Sequence, residues 1–145
     1  IMTSRMASVR QRVTPLLTQI ADGKAPTPKL RSQAYLLEAE LRDEIRAPFF
    51  TGTAVVEAAR RERGRGVEVL LLDDRGGEGV RGTGEGADDA LCSLIVSRAT
   101  AALDEAVAGR VVVRVCPAGR RWAATILTDA GLAVVESKAA STSVC

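Results

Sequence analysis

The sequence predicts an α+β chain: an N-terminal helical hairpin followed by a two-layer α/β sandwich with a mostly antiparallel sheet. Three observations carry this expectation. Apolar residues recur at steps of three and four as far as Ile45. Beyond Thr53, helical and strand patterns alternate. The last apolar stretches are joined by short turn sequences, Pro117-Ala118-Gly119 and Asp129-Ala130-Gly131, which suit antiparallel returns.

The first helix is predicted from Met6, Val9, Val13, Leu16 and Ile20, a heptad spacing that keeps one narrow apolar stripe facing a partner helix. Pro15 lies within it, removes a backbone donor and predicts a kink. The stretch from Ala21 to Pro26 breaks the pattern, and Thr27-Pro28 reads as an N-cap followed by a first-turn proline. The second helix carries Leu30, Ala34, Leu37, Leu41 and Ile45 on one side and ends at Pro48. Two such stripes joined by a short connection predict an antiparallel pair. Their apolar burial does not match the entropy of ordering both helices, so the pair needs a further surface: its own α/β domain or a second copy.

Thr53 is placed to cap a short helix running to about Glu62 and ended by Gly64 and Gly66. Val67 to Leu72 reads as a largely buried strand that stops at Asp73-Asp74. Gly76, Gly77, Gly79, Gly82, Gly84 and Gly86 then form a loop without the terminal Gly-Lys-Ser/Thr of a phosphate cradle, which reads as a flexible connector. Asp88 or Asp89 is expected to cap a helix to about Val107, closed by Gly109. Arg110–Cys116, Arg121–Thr128 and Leu132–Glu136 are the remaining strands. The expected domains are residues 1–47, a dimerisation hairpin, and 52–137, the sandwich, with a disordered tail over 138–145. The start at Ile1 suggests a piece of a longer polypeptide.

Composition narrows the chemistry. The chain has no histidine, so no His general base, His-assisted nucleophile or His-ligated metal is available. A net charge of +2 does not suggest nucleic acid. The short basic stretch Arg60, Arg61, Arg63 and Arg65 reads as a solvated helix end. Cys92, Cys116 and Cys145 lack metal or disulfide spacing and read as reduced thiols, Cys92 and Cys116 as buried packing residues. Asp73, Asp74, Asp88 and Asp89 read as strand-end and helix-capping residues rather than a metal cluster. No apolar run is long enough for a membrane span, and a cytoplasmic location is expected, with no membrane contact.

The order of these segments resembles the cytoplasmic core of bacterial sensor histidine kinases, in which a dimerisation hairpin precedes a Bergerat-type (GHKL) ATP-binding domain. Arg10-Gln11-Arg12-Val13-Thr14-Pro15 is similar to the His-Glu/Asp-x-x-x-Pro phosphoacceptor segment, with Arg10 at the histidine position. Glu57 to Leu72 resembles the helix–glycine–strand unit before the ATP-site helix. Ile95 to Thr128 resembles that helix and the following strand pair, with Gly109-Arg110-Val111 as the turn. Asp129-Ala130-Gly131 matches the start of the Asp-x-Gly-x-Gly adenine box.

The departures are consistent with one another. Arg98 and Ala102 stand where the resemblance implies a glutamate and a magnesium-binding asparagine, and neither can supply the oxygen ligand magnesium demands. Ala133 replaces the second glycine of the adenine box, and Arg10 cannot accept a phosphoryl group in this chemistry. The resemblance therefore implies a non-catalytic signalling or dimerisation module of the two-component type, without cofactor, catalytic residue or metal ligand. Its expected partners are a second copy, meeting along Met6, Val9, Val13, Leu16, Ile20, Leu30, Leu37, Leu41 and Ile45, and a protein or an attached sensor or output domain. One alternative is weak ATP or ADP binding, with magnesium, through Asp129 and Gly131. Another is an unrelated small α+β interaction domain.

Overall fold

The computed structural model describes residues 2–23, 25–76 and 87–137. Its elements run α1 (Met2–Ala21), α2 (Pro28–Arg46), a 3-10 turn (Pro48–Phe50), α3 (Ala54–Gly64), β1 (Glu68–Asp73), α4 (Ala87–Glu105), β2 (Arg110–Val115), β3 (Trp122–Thr128) and β4 (Gly131–Glu136). The chain divides into two compact units, residues 1–42 and 43–145, so the division falls within α2. The tail expected to be disordered and most of the glycine loop lie outside the described residues.

In the first unit, α1 continues through Pro15 to Ala21. The proline has no N–H to offer the carbonyl one turn earlier. The Thr14 hydroxyl meanwhile donates to the carbonyl of Arg10 (2.6 Å), and that of Thr18 to the carbonyl of Thr14 (2.9 Å). At the start of α2, the Leu30 N–H donates to the Thr27 hydroxyl (3.1 Å), the cap that the Thr-Pro pair predicted. Arg12 on α1 and the buried Glu40 on α2 approach to 3.8 Å.

In the second unit the four strands lie in the order β1-β2-β3-β4. The pairs β2–β3 and β3–β4 are antiparallel, but β1–β2 is parallel, with Glu68 opposite Arg110 and Asp73 opposite Val115. The sheet is therefore mixed. Its parallel pair follows from the connection: α4 carries the chain back across the sheet before β2 begins, whereas turns join the later strands. Period-two alternation sends Val69, Leu71, Val111, Val113, Val115, Ala124, Ile126 and Val135 to one face. There they pack with Val55, Ala58 and Ala59 of α3 and Ile95, Ala99 and Leu103 of α4. Phe49 and Phe50, edge to face at 4.9 Å, complete this core from the 3-10 turn.

Several local expectations change. Thr53 occupies the N-cap of α3, yet its hydroxyl donates backward to the Phe50 carbonyl (2.6 Å) and makes no cap bond. Helix α4 starts at Ala87, which puts Asp88 and Asp89 in its first turn instead of at its cap. The basic stretch is not wholly solvated, because Arg63 is buried. Its guanidinium donates to Asp43 (2.7 Å) and to the Val69 carbonyl (2.8 Å). Cys92 and Cys116 are half-buried rather than sealed in the core.

Candidate functional site

The residues singled out for adenine contact come together at one end of the α/β unit. The β3–β4 turn brings Asp129 and Gly131 to the rim of a cavity of about 500 Å³, with Ala102, Ala106 and Val107 from the C-terminal end of α4 and its exit opposite. Val111 and Ile126 belong to its sheet side, and Arg110, Glu105 and Ala133 also line it. Asp129 lies against Gly109, where an added Cβ would overlap its carboxylate. The positive φ of Gly109 (80°) is equally suited to glycine. This glycine thus closes the helix and leaves room for the aspartate. The turn is also held by its own bonds: the Ala130 N–H donates to the Thr128 hydroxyl (3.2 Å).

This cavity has two carboxylates and a guanidinium at its margin, but aliphatic groups form much of its wall. Ala102 contributes only a methyl group to this wall. Arg110 is engaged with Glu68 on the neighbouring strand through two bonds of 2.9 and 2.8 Å. The Arg110 hydrogen bond accordingly holds the exposed Glu68 carboxyl below its ordinary range. Among the described residues no group of three or more Asp, Glu or Cys side chains is placed to hold a metal ion.

A second concavity, of about 820 Å³, follows α4 on its α3 side. Its lining includes Phe49, Thr53, Cys92, Ser97, Thr100 and Asp104. Asp73 sits nearby at the end of β1, where it accepts hydrogen bonds from the Phe49 N–H (3.3 Å), the Arg75 N–H (3.2 Å) and two guanidinium nitrogens of Arg75 (both 2.8 Å). Arg75 also stacks over the Phe49 ring, 4.6 Å from its centroid. Burial pushes the Asp73 carboxyl upward, but the Arg75 bonds and charge and the Phe49 N–H outweigh it, leaving the carboxyl below its ordinary range. The sequence pattern marks Asp73 only as a strand end. Asp-x-Arg immediately after an apolar strand was the available signal, since that spacing lets the arginine fold back onto the carboxylate.

The remaining sequence-derived positions lie in or beside the helical unit. Arg10 is exposed. Along the seam Leu30 is buried, Val9, Val13, Leu16, Leu37 and Leu41 are half-buried, and Met6, Ile20 and Ile45 are exposed. Leu17 and Tyr35, outside the expected seam, are also exposed. No described helix is long and apolar enough to cross a membrane. No family model, curated protein or solved structure matches this chain.

Proposed function

We propose that the protein is a non-catalytic, histidine-kinase-like signalling module, whose helical unit dimerises and whose α/β unit retains the framework of a nucleotide-binding domain without its chemistry. The observation that carries this reading is the composition of the 500 Å³ cavity. Asp129, Gly131 and Ala102, which the resemblance assigns to one ligand, line the same cavity, and Ala102 and Ala133 leave it without magnesium-binding and glycine-loop chemistry. The module then acts by presenting surfaces and by setting the distance between copies.

The dimer rests on the first unit. A compact unit of about 40 residues is near the size below which oligomerisation is usually needed for stability. Met6, Leu17, Ile20 and Tyr35 are large apolar side chains exposed on it. A second copy that pairs as an antiparallel hairpin against the first covers such positions isologously. Light scattering on the full chain is expected to give twice the monomer mass, and Leu17→Glu combined with Ile20→Glu to halve it. A wild-type monomer at high concentration removes the dimerisation reading.

The presence of Asp129 on the cavity rim favours one second reading, weak adenine-nucleotide binding. Calorimetry with ADP and magnesium separates the two. No heat of binding is expected. A saturable signal abolished by Asp129→Asn establishes the alternative.

A further inference from the structure

The sheet has a second face, opposite α3 and α4. Register places Leu70, Val112, Leu127 and Leu132 side by side across all four strands, Leu70 facing Val112, Val112 facing Leu127 and Leu127 facing Leu132. Their alternation with the buried residues puts all four on this outer side. Leu127 is 48% and Leu132 63% exposed, and Val134 in the adjacent row is exposed as well. We propose that this face packs against the same face of a second copy, making a two-sheet sandwich inside the dimer held by the helical unit. The inference rests on the dimer described above and adds a second contact to it.

Charge, shape and area select that occupant. On β1 and β2 the outward charges are already paired, Glu68 with Arg110 below the apolar row and Arg114 with Asp74 (3.1 Å) above it. The centre of the face is therefore neutral and asks for an apolar partner, not an anionic or cationic one. A two-fold axis parallel to the strands sets β1 over β4 and β2 over β3. Leu70 then meets Leu132 of the partner subunit, and Val112 meets Leu127 of the partner subunit. The two faces match in width without overhang, at the roughly 10 Å separation of stacked sheets.

Four strands about 4.8 Å apart and about 20 Å long present a footprint of roughly 400 Å², about half of what each partner buries in a standard stable complex. A free protein would have to bind on that area alone. A copy tethered through the helical unit is held at an effective concentration of roughly millimolar order, where a half-sized contact suffices.

The test uses the full chain with Cys92, Cys116 and Cys145 replaced by Ser, carrying Leu70→Cys and Leu132→Cys. Within one copy these positions are three strand spacings apart, about 14 Å, too far for a thiol-to-thiol linker with a span of about 8 Å. Facing backbones of stacked sheets are about 10 Å apart, beyond disulfide reach, so a bis-maleimide with a span of about 8 Å between sulfurs is used; it is expected to give a covalent dimer from the double variant and none from Leu132→Cys alone. Absence of the cross-link in a sample that scatters light as a dimer overturns the face contact and leaves the helical dimer standing. A wild type that scatters as a monomer removes the helical dimer and, with it, the tether on which the face contact depends. Should the cysteine variant fail to fold, Leu127→Lys in the wild-type chain decides: an unchanged dimer mass with a larger Stokes radius supports stacking, and an unchanged radius overturns it.

Discussion

Asp129 rests directly on Gly109: the carboxylate of the β3–β4 turn occupies the space that any side chain at 109 would need. Two features that look separate in sequence, a glycine after a helix and a turn aspartate, thus depend on each other. Gly109→Ala must both adopt a left-handed backbone, which costs about 1–2 kcal/mol, and displace the aspartate. A total loss of about 1–3 kcal/mol is expected in urea denaturation. Gly119→Ala is the control, because it has a similar φ of 81° with open space around it, and it should lose only the backbone part.

The buried Arg63–Asp43 pair should respond asymmetrically. Asp43→Ala removes the acceptor at 2.7 Å and leaves a guanidinium with most of its surface excluded from water. A loss of about 3 kcal/mol is expected on thermal unfolding. Replacing both partners, Arg63→Met with Asp43→Leu, should recover most of it, since neither charge of the pair is then left without the other. A double variant as unstable as Asp43→Ala would show that the bond to the Val69 carbonyl, not the ion pair, sustains this corner.

The pair also marks where sequence reading stopped. The Thr27 cap and the alternation of β2 and β3 are local signals, and each is seen in its element. Arg63 belongs to a run of arginines whose other members are exposed, and nothing in that run identifies the one that pairs with Asp43. The 3-10 turn at Pro48–Phe50 is too short to show any period, although its two phenylalanines anchor the core. Partner choice between strands was hidden for a related reason. Alternation fixes which way a side chain points, but Val67 to Leu72 contains no mark of pairing parallel with Arg110 to Val115. At the cavity, Asp129-Ala130-Gly131 was legible as a turn between two strands. The Gly109 contact was not, because it joins a helix exit to a distant turn.

Asp73 gives the chain an acid-sensitive point. Its carboxyl lies below the ordinary 3.8 in the folded state, so its stabilising effect is fully present above about pH 4 and declines as pH falls through the lower folded value. At pH 7, Asp73→Asn is expected to lose about 1–3 kcal/mol through weaker bonds to Arg75 and the Phe49 N–H. The difference from wild type should narrow below pH 4 in urea titrations at stepped pH. A constant difference down to pH 2 would mean that shape, not charge, makes Asp73 matter.

The single parallel pairing in the sheet has a kinetic consequence. β2, β3 and β4 are joined by turns, whereas Glu68 meets Arg110 across 42 positions of chain that must close first. Loop closure of that length carries a larger entropic cost than a hairpin turn, so the meander is expected to assemble early and β1 to add after it. Conservative truncations in β2 and β3, such as Val113→Ala and Ile126→Val, should then slow refolding in stopped-flow traces. Leu71→Ala in β1 should chiefly hasten unfolding. Until β1 arrives, the backbone edge of β2 that it will pair with is open, and the nascent chain is at its most association-prone in that interval.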